Sequence, residues 1–165
     1  MKLLITGGLG FIGSNFILEV LKNNPNYEIT NVDASLYGSN KMNLSEIENN
    51  KNYKFVSGNI TDKILMEKLI LENDIIINFA AESFVDRSIS EAKPFLDSNV
   101  IGVFTILEIL KKYKKKLIHI STDEVFGSLK NETADENFRF NPSSPYSATK
   151  ASSELLINSY NLTYD

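Results

Sequence analysis

The chain has 165 residues, 42% of them hydrophobic and 23% charged, and carries a formal net charge of −4. That length and balance fit one soluble globular domain with a sizeable core and exclude a disordered chain. With no cysteine and a single histidine, disulfides, thiolate nucleophiles and Cys- or His-built metal centres are excluded, so no metal is expected. The acidic balance also argues against nucleic acid as a partner.

No stretch approaches the roughly 20 apolar residues of a membrane span. Leu3-Leu4-Ile5 is too short for the core of a signal peptide. A reducing cytoplasm is the expected location.

Short apolar runs alternate with longer helical patterns, the signature of a parallel sheet wrapped by helices. The pattern predicts strands over 2–6, 28–32, 54–57, 75–79 and 117–121, and helices over 11–23, 62–71, 94–113 and 146–160. Pro94 suits the first turn of its helix, where a missing N–H is no loss. Leu3-Leu4-Ile5 and Ile75-Ile76-Ile77 are apolar on both faces, as central parallel strands require. Segments 23–25 and 137–145 read as surface loops. Lys111–Lys116 holds five lysines in six residues; at a helix C-terminus they favour the macrodipole and read as a solvated end, not a nucleic-acid patch.

Gly7, Gly10 and Gly13 form a GxxGxxG turn directly after the first strand and open the first helix. In such a turn one glycine permits the tight bend, another lets the backbone approach a pyrophosphate, and the last allows close helix–strand packing. The helix N-terminus offers free N–H groups and a positive dipole end to the phosphates. Asp33 lies twenty residues after Gly13, at the end of the second strand. There a carboxylate accepts hydrogen bonds from ribose hydroxyls and repels a 2′-phosphate, so NAD is expected over NADP.

Ser121-Thr122-Asp123-Glu124 falls at the C-terminal end of the fifth strand, the edge where open α/β sheets bind ligands. Tyr146 and Lys150 follow, four apart on one helix face. A neighbouring ammonium favours the phenolate, so Lys150 is expected to bring the Tyr146 pKa down toward working pH. Tyr146 could then take a proton from a sugar hydroxyl while hydride leaves the same carbon. His119 reads as a core strand residue bonded to neighbouring backbone. Arg87 and Ser88 read as structural.

With the glycine turn, the Ser-Thr pair and the Tyr-Lys pair together, the sequence resembles the extended short-chain dehydrogenase/reductase family over essentially its whole length. Four segments narrow the resemblance to its dTDP-glucose 4,6-dehydratase branch: GGLGFIGSN (7–15), AAESFVDRSI (80–89), HISTDEVFG (119–127) and PSSPYSATK (142–150). The resemblance implies a doubly wound Rossmann-type domain over 1–165 that binds NAD and carries the catalytic groups. It implies a lyase reaction in which dTDP-glucose is oxidised at C4, loses water across C5 and C6, and receives the hydride back at C6.

Residue by residue, it makes Tyr146 the base for C4 oxidation, Glu124 the base at C5, and Asp123 the acid for the leaving C6 hydroxyl. Thr122 binds the sugar near O4, and Lys150 holds ribose and tunes Tyr146. An acid and a base side by side require environments that push their pKa values apart. Phe11 and Ile12 would lie against the pyrophosphate, Ala34, Ser35 and Leu36 would extend the ribose contact, and Ala80, Ala81, Glu82 and Ser83 would line the NAD rings. Ser98 would also stand near the cofactor. Asn99 would orient backbone or water near the site, or be a buried helix polar group. Ser83 and Phe84 would face the sugar.

Phe84 stands where the family usually has histidine, and Asn59, before Ile60, where it usually has an aspartate that accepts from the adenine amino group. Asparagine can still accept through its carbonyl oxygen. The family's nucleotide-sugar domain and last Rossmann strands are absent from this chain, so NAD binding with poor or no turnover of dTDP-glucose is expected. Two alternatives stay open: an NAD-dependent sugar-nucleotide epimerase or decarboxylase of the same family, and a non-catalytic NAD-binding protein. Val100, Val103, Phe104, Leu107 and Leu110 give the 94–113 helix wide apolar coverage. The family implies a homodimer built on the 94–113 and 146–160 helices.

Overall fold

In the computed structural model of the chain, residues 1–130 and 133–164 are described. Asp165, at which the sequence predicts the start of a further strand, lies outside them. The chain divides into two compact units, one of residues 1–80 and 105–120, the other of residues 81–104 and those from Ser121 onward.

The first unit is a five-stranded, all-parallel sheet. Its strands are β1 (Lys2–Thr6), β2 (Glu28–Asp33), β3 (Tyr53–Ser57), β4 (Ile75–Asn78) and β5 (Lys116–His119), in the order β3-β2-β1-β4-β5. Leu3 pairs with Ile29 on one side and Ile75 on the other. Alternation along the strands sends Leu4, Val32 and Ile76 to one face, where they pack with Met66 and Ile70 of α2 (Lys63–Glu72) and Ile106 and Ile109 of α5 (Val103–Tyr113). Leu3, Ile5, Ile29 and Ile77 go to the other face, with Ile17 and Leu21 of α1 (Phe11–Asn23). Both faces of the central strands are therefore dry, which is why their sequences run apolar without alternating with polar residues. Leu44, inside a 3₁₀ segment (Lys41–Ile47), extends the second core.

The second unit is helical. α3 (Val85–Ser90) precedes α4 (Lys93–Phe95), which runs through a π-helical segment (Leu96–Gly102) into α5. A 3₁₀ turn (Asp123–Phe126) and the long α6 (Pro145–Tyr164) complete it. Phe95 is fully buried and packs edge-on to the Tyr146 ring. Phe126 packs against Phe138 and Phe140.

The predicted strands and helices are present, with ends shifted by a few residues at most. The 94–113 prediction differs in kind, because its middle is π-helical. There Asn99 turns its side chain to the Glu82 backbone, and its carbonyl accepts from the Ser153 hydroxyl at 2.6 Å. Long-range partners of this sort leave no mark on helical periodicity. His119 Nδ1 faces the side-chain amide of Asn78 at 2.9 Å. No helix among the described residues is long and apolar enough to cross a membrane.

Gly7 adopts φ +72°, and a Cβ there would lie 2.5 Å from the Ala80 amide nitrogen, whereas one at Gly10 would meet nothing nearer than 3.4 Å. Gly7→Ala is therefore expected to cost more than about 2 kcal/mol of stability, combining left-handed strain with a backbone clash. Gly10→Ala is expected to cost less than about 1 kcal/mol. Denaturant melts of the two variants check the ranking, and equal losses would refute it.

Candidate active site

The predicted site residues form two groups, one in each unit. In the first, the glycine turn is held by the end of β2. The Gly7 amide donates to the Val32 carbonyl (2.9 Å), that of Gly8 to Asn31 Oδ1 (3.1 Å) and that of Leu9 to Asp33 Oδ2 (3.0 Å). A Cβ on Gly13 would sit 2.6 Å from the Gly7 carbonyl oxygen, so the turn closes against the helix start.

α1 opens at Gly10 with no side-chain cap and no acid in its first turn. The N–H groups at the start of a helix have no intrahelical partner, so those of Phe11, Ile12 and Gly13 are left for an anion. Phe11 and Ile12 are exposed there. These features fit a dinucleotide pyrophosphate.

Asp33 is buried at the end of β2, and its carboxylate already accepts from the Leu9 amide, the Ser35 amide (2.8 Å) and the Ser39 hydroxyl (2.9 Å). A carboxylate offers about four acceptor positions, so capacity for one further donor remains. The carboxylate thus ties the glycine turn to the loop after β2 as well as offering an acceptor. Ala34 is half-buried, and Ser35 and Leu36 are exposed. Asn59 is exposed, and its side-chain oxygen accepts from both the amide and the hydroxyl of Thr61, while Ile60 is buried in the sheet core. Ala80 is half-buried beside the turn.

The second unit gathers Thr122, Asp123, Glu124, Tyr146 and Lys150. Thr122 caps the 3₁₀ turn, accepting from the Glu124 amide at 3.3 Å, and its hydroxyl is hydrogen-bonded to that of Tyr146. Asp123 and Glu124 are exposed in the first turn. Gly127 closes that turn at φ +73°, where a Cβ would run into the Asn141 carbonyl.

Tyr146 and Lys150 lie one turn apart on α6, both buried. The Tyr146 amide donates to Ser88 Oγ of α3 at 3.1 Å. Its backbone, ring and hydroxyl are thus fixed by Ser88, Phe95 and Thr122 respectively. Asn99 is buried; its amide accepts from the Glu82 N–H and donates to the Glu82 carbonyl, each at 2.9 Å, and also to Thr149 Oγ1 at 3.0 Å. Glu82 is itself buried and ion-paired with Arg87 at 2.8 Å. Ala81 and Ser98 are half-buried, and Ser83 and Phe84 are exposed.

The electrostatics correct one expectation. Burial pushes the Tyr146 hydroxyl above its usual value; the Thr122 hydrogen bond opposes this, and the charges of Glu124 and Asp123 add to it. Lys150 is not among the influences, so in the free chain Tyr146 stays protonated. Burial pushes Lys150 down to about 8, with the Glu154 carboxylate opposing. Reading the sequence alone missed Glu154, and named Ser88 as structural without its bond to the Tyr146 amide. For Glu154 a signal existed in its i,i+4 spacing from Lys150; for the Ser88 bond there was none.

A family model described as GDP-mannose 4,6 dehydratase matches residues 4–165. The chain belongs to this family. Among curated family relatives, dTDP-glucose 4,6-dehydratase of Mycobacterium tuberculosis is 42% identical over 167 residues, spanning 99% of this chain and 50% of that protein. Two solved structures are similar throughout. The dTDP-glucose 4,6-dehydratase of Bacillus anthracis in complex with NAD has 43% identity and a TM-score of 0.91, covering 99% of this chain and 51% of that one. That of Streptomyces venezuelae with NAD bound has 39% identity and a TM-score of 0.95, covering 99% and 52%. The chain spans about half the length of the curated relatives it matches. The motif resemblance to the dTDP-glucose branch is thus matched by sequence identity and fold alike. Among the described residues no cluster could hold a metal ion.

An unfolded lysine titrates near ~10.4, so between about pH 8 and that value the unfolded chain binds more protons than the folded one. Stability through Lys150 therefore rises with pH across this window. Lys150→Met is expected to be the more stable protein near pH 7, by on the order of 1–3 kcal/mol, with the gap closing towards pH 10. Denaturant melts of both proteins across that range check this; a gap independent of pH contradicts it.

Proposed function

We propose that this chain supplies the NAD-binding and acid–base groups of a dTDP-glucose 4,6-dehydratase, a lyase yielding dTDP-4-dehydro-6-deoxyglucose. The observation that carries the reading is the gathering of Thr122, Asp123 and Glu124 around the Tyr146 hydroxyl. An epimerase needs the tyrosine, lysine and threonine but has no use for a paired acid and base. A non-catalytic NAD sensor needs none of them.

The uncapped start of α1 holds the pyrophosphate, and the remaining acceptor capacity of Asp33 takes a ribose hydroxyl. NAD bound there would supply the acceptor for the C4 hydride and its donor to C6. Thr122 holds the sugar near O4 while Tyr146 takes the proton of the C4 hydroxyl. The resulting ketone acidifies C5–H, and Glu124 removes that proton. Asp123 gives a proton to the departing C6 oxygen, which leaves as water.

The cytoplasm fits this chemistry, and a homodimer fits the apolar face left exposed by Leu96, Ile101 and Phe104. Sedimentation is expected to show a dimer, and a monomer at high protein concentration would refute it. Asp123→Asn decides the function. With NAD and dTDP-glucose it is expected to form NADH in one turnover while the 4-keto-6-deoxy product falls by about 10²-fold or more. Unchanged product formation would overturn the role of Asp123.

A further inference from the structure

The reaction described above leaves one charged group beside the site without a task. Glu154 lies half-buried on α6, one turn beyond Lys150 and two beyond Tyr146. Its carboxylate accepts a hydrogen bond from the Ser121 hydroxyl. Ser121 immediately precedes Thr122, whose hydroxyl bonds Tyr146. The helix carrying Tyr146 and Lys150 therefore also grips, through Glu154, the segment carrying Thr122, Asp123 and Glu124.

Glu154 also stands one turn from Lys150 on the same helix, at the spacing where opposite charges attract. Lys150 is only 3% exposed, and Glu154 is the carboxylate that favours its ammonium form. The other two acids of the cluster, Asp123 and Glu124, act on Tyr146 instead. A buried ammonium without an opposite charge is strongly disfavoured.

We infer that Glu154 is a positioning residue with two outputs: through Ser121 it sets Thr122 against Tyr146, and through its charge it serves as counter-ion to Lys150. The inference rests on the reading of Tyr146 and Lys150 as base and partner, but its two outputs are properties of the free chain. A carboxylate is required because each output uses a different property of it. An acceptor oxygen suffices to hold Ser121, whereas only an ionised group balances Lys150.

The outputs separate by substitution. Glu154→Gln keeps an acceptor for Ser121 and removes the charge. Ser121→Ala keeps the charge and removes the tether. NMR titration of isotope-labelled lysine and tyrosine in the unliganded chain reads both. Glu154→Gln is expected to lower the Lys150 midpoint by about one unit and leave Tyr146 nearly unmoved. Ser121→Ala is expected to raise the Tyr146 midpoint, because the lowering bond from Thr122 is loosened, and to leave Lys150 in place.

A Lys150 midpoint unchanged in Glu154→Gln overturns the counter-ion role, and a Tyr146 midpoint unchanged in Ser121→Ala overturns the tether. Both variants are near-isosteric, and circular dichroism confirms that each remains folded. The parent reading fails separately: if Tyr146→Phe leaves sugar oxidation intact, Tyr146 is not the base, whatever the two titrations show.

Discussion

Three consecutive amides of the glycine turn are fastened to three consecutive residues of β2, and the shape of that turn depends on the fastening. Gly7, Gly8 and Leu9 donate to Val32, Asn31 and Asp33. Two of those acceptors are buried polar side chains, which are costly unless paired. Asn31 is further fixed by the Tyr53 hydroxyl at 3.0 Å, and Asp33 by the serines after β2. The turn is therefore preorganised before any ligand arrives, and the cost of shaping it falls on folding and not on binding. The division of labour also becomes clear. Amides 7–9 hold the turn, and amides 11–13, at the uncapped start of α1, are the ones a phosphate can use.

How much of this was legible depends on whether a feature is local. The strands were readable because burial on both sheet faces forces apolar runs, and β1 and α1 fall where the sequence puts them. The glycine turn and its acid were readable because spacing along the chain fixes their geometry. The one-turn elements were not: α3 and the 3₁₀ turn at Asp123–Phe126 are too short for a period to show. The π segment was hidden for a different reason. Whether a helix widens at Asn99 depends on Glu82, Thr149 and Ser153, none of them near in sequence.

The Tyr-Lys pair shows the same limit for electrostatics. From spacing alone, an ammonium one turn away should lower a tyrosine. In the folded chain both groups are buried, and desolvation drives each towards its neutral form. Two carboxylates beside the tyrosine reinforce this, and one beside the lysine resists it. Spacing puts the two groups one turn apart but carries no information on burial, which here decides the sign.

That sign bears on how such a cluster can be controlled. A tyrosine held protonated by burial and by two acids is a poor base in the free chain. Burial is the larger cause, the Thr122 hydrogen bond opposes it, and the two acids add to it. Placed on a capped 3₁₀ turn, the two acids add to the restraint that burial puts on the tyrosine.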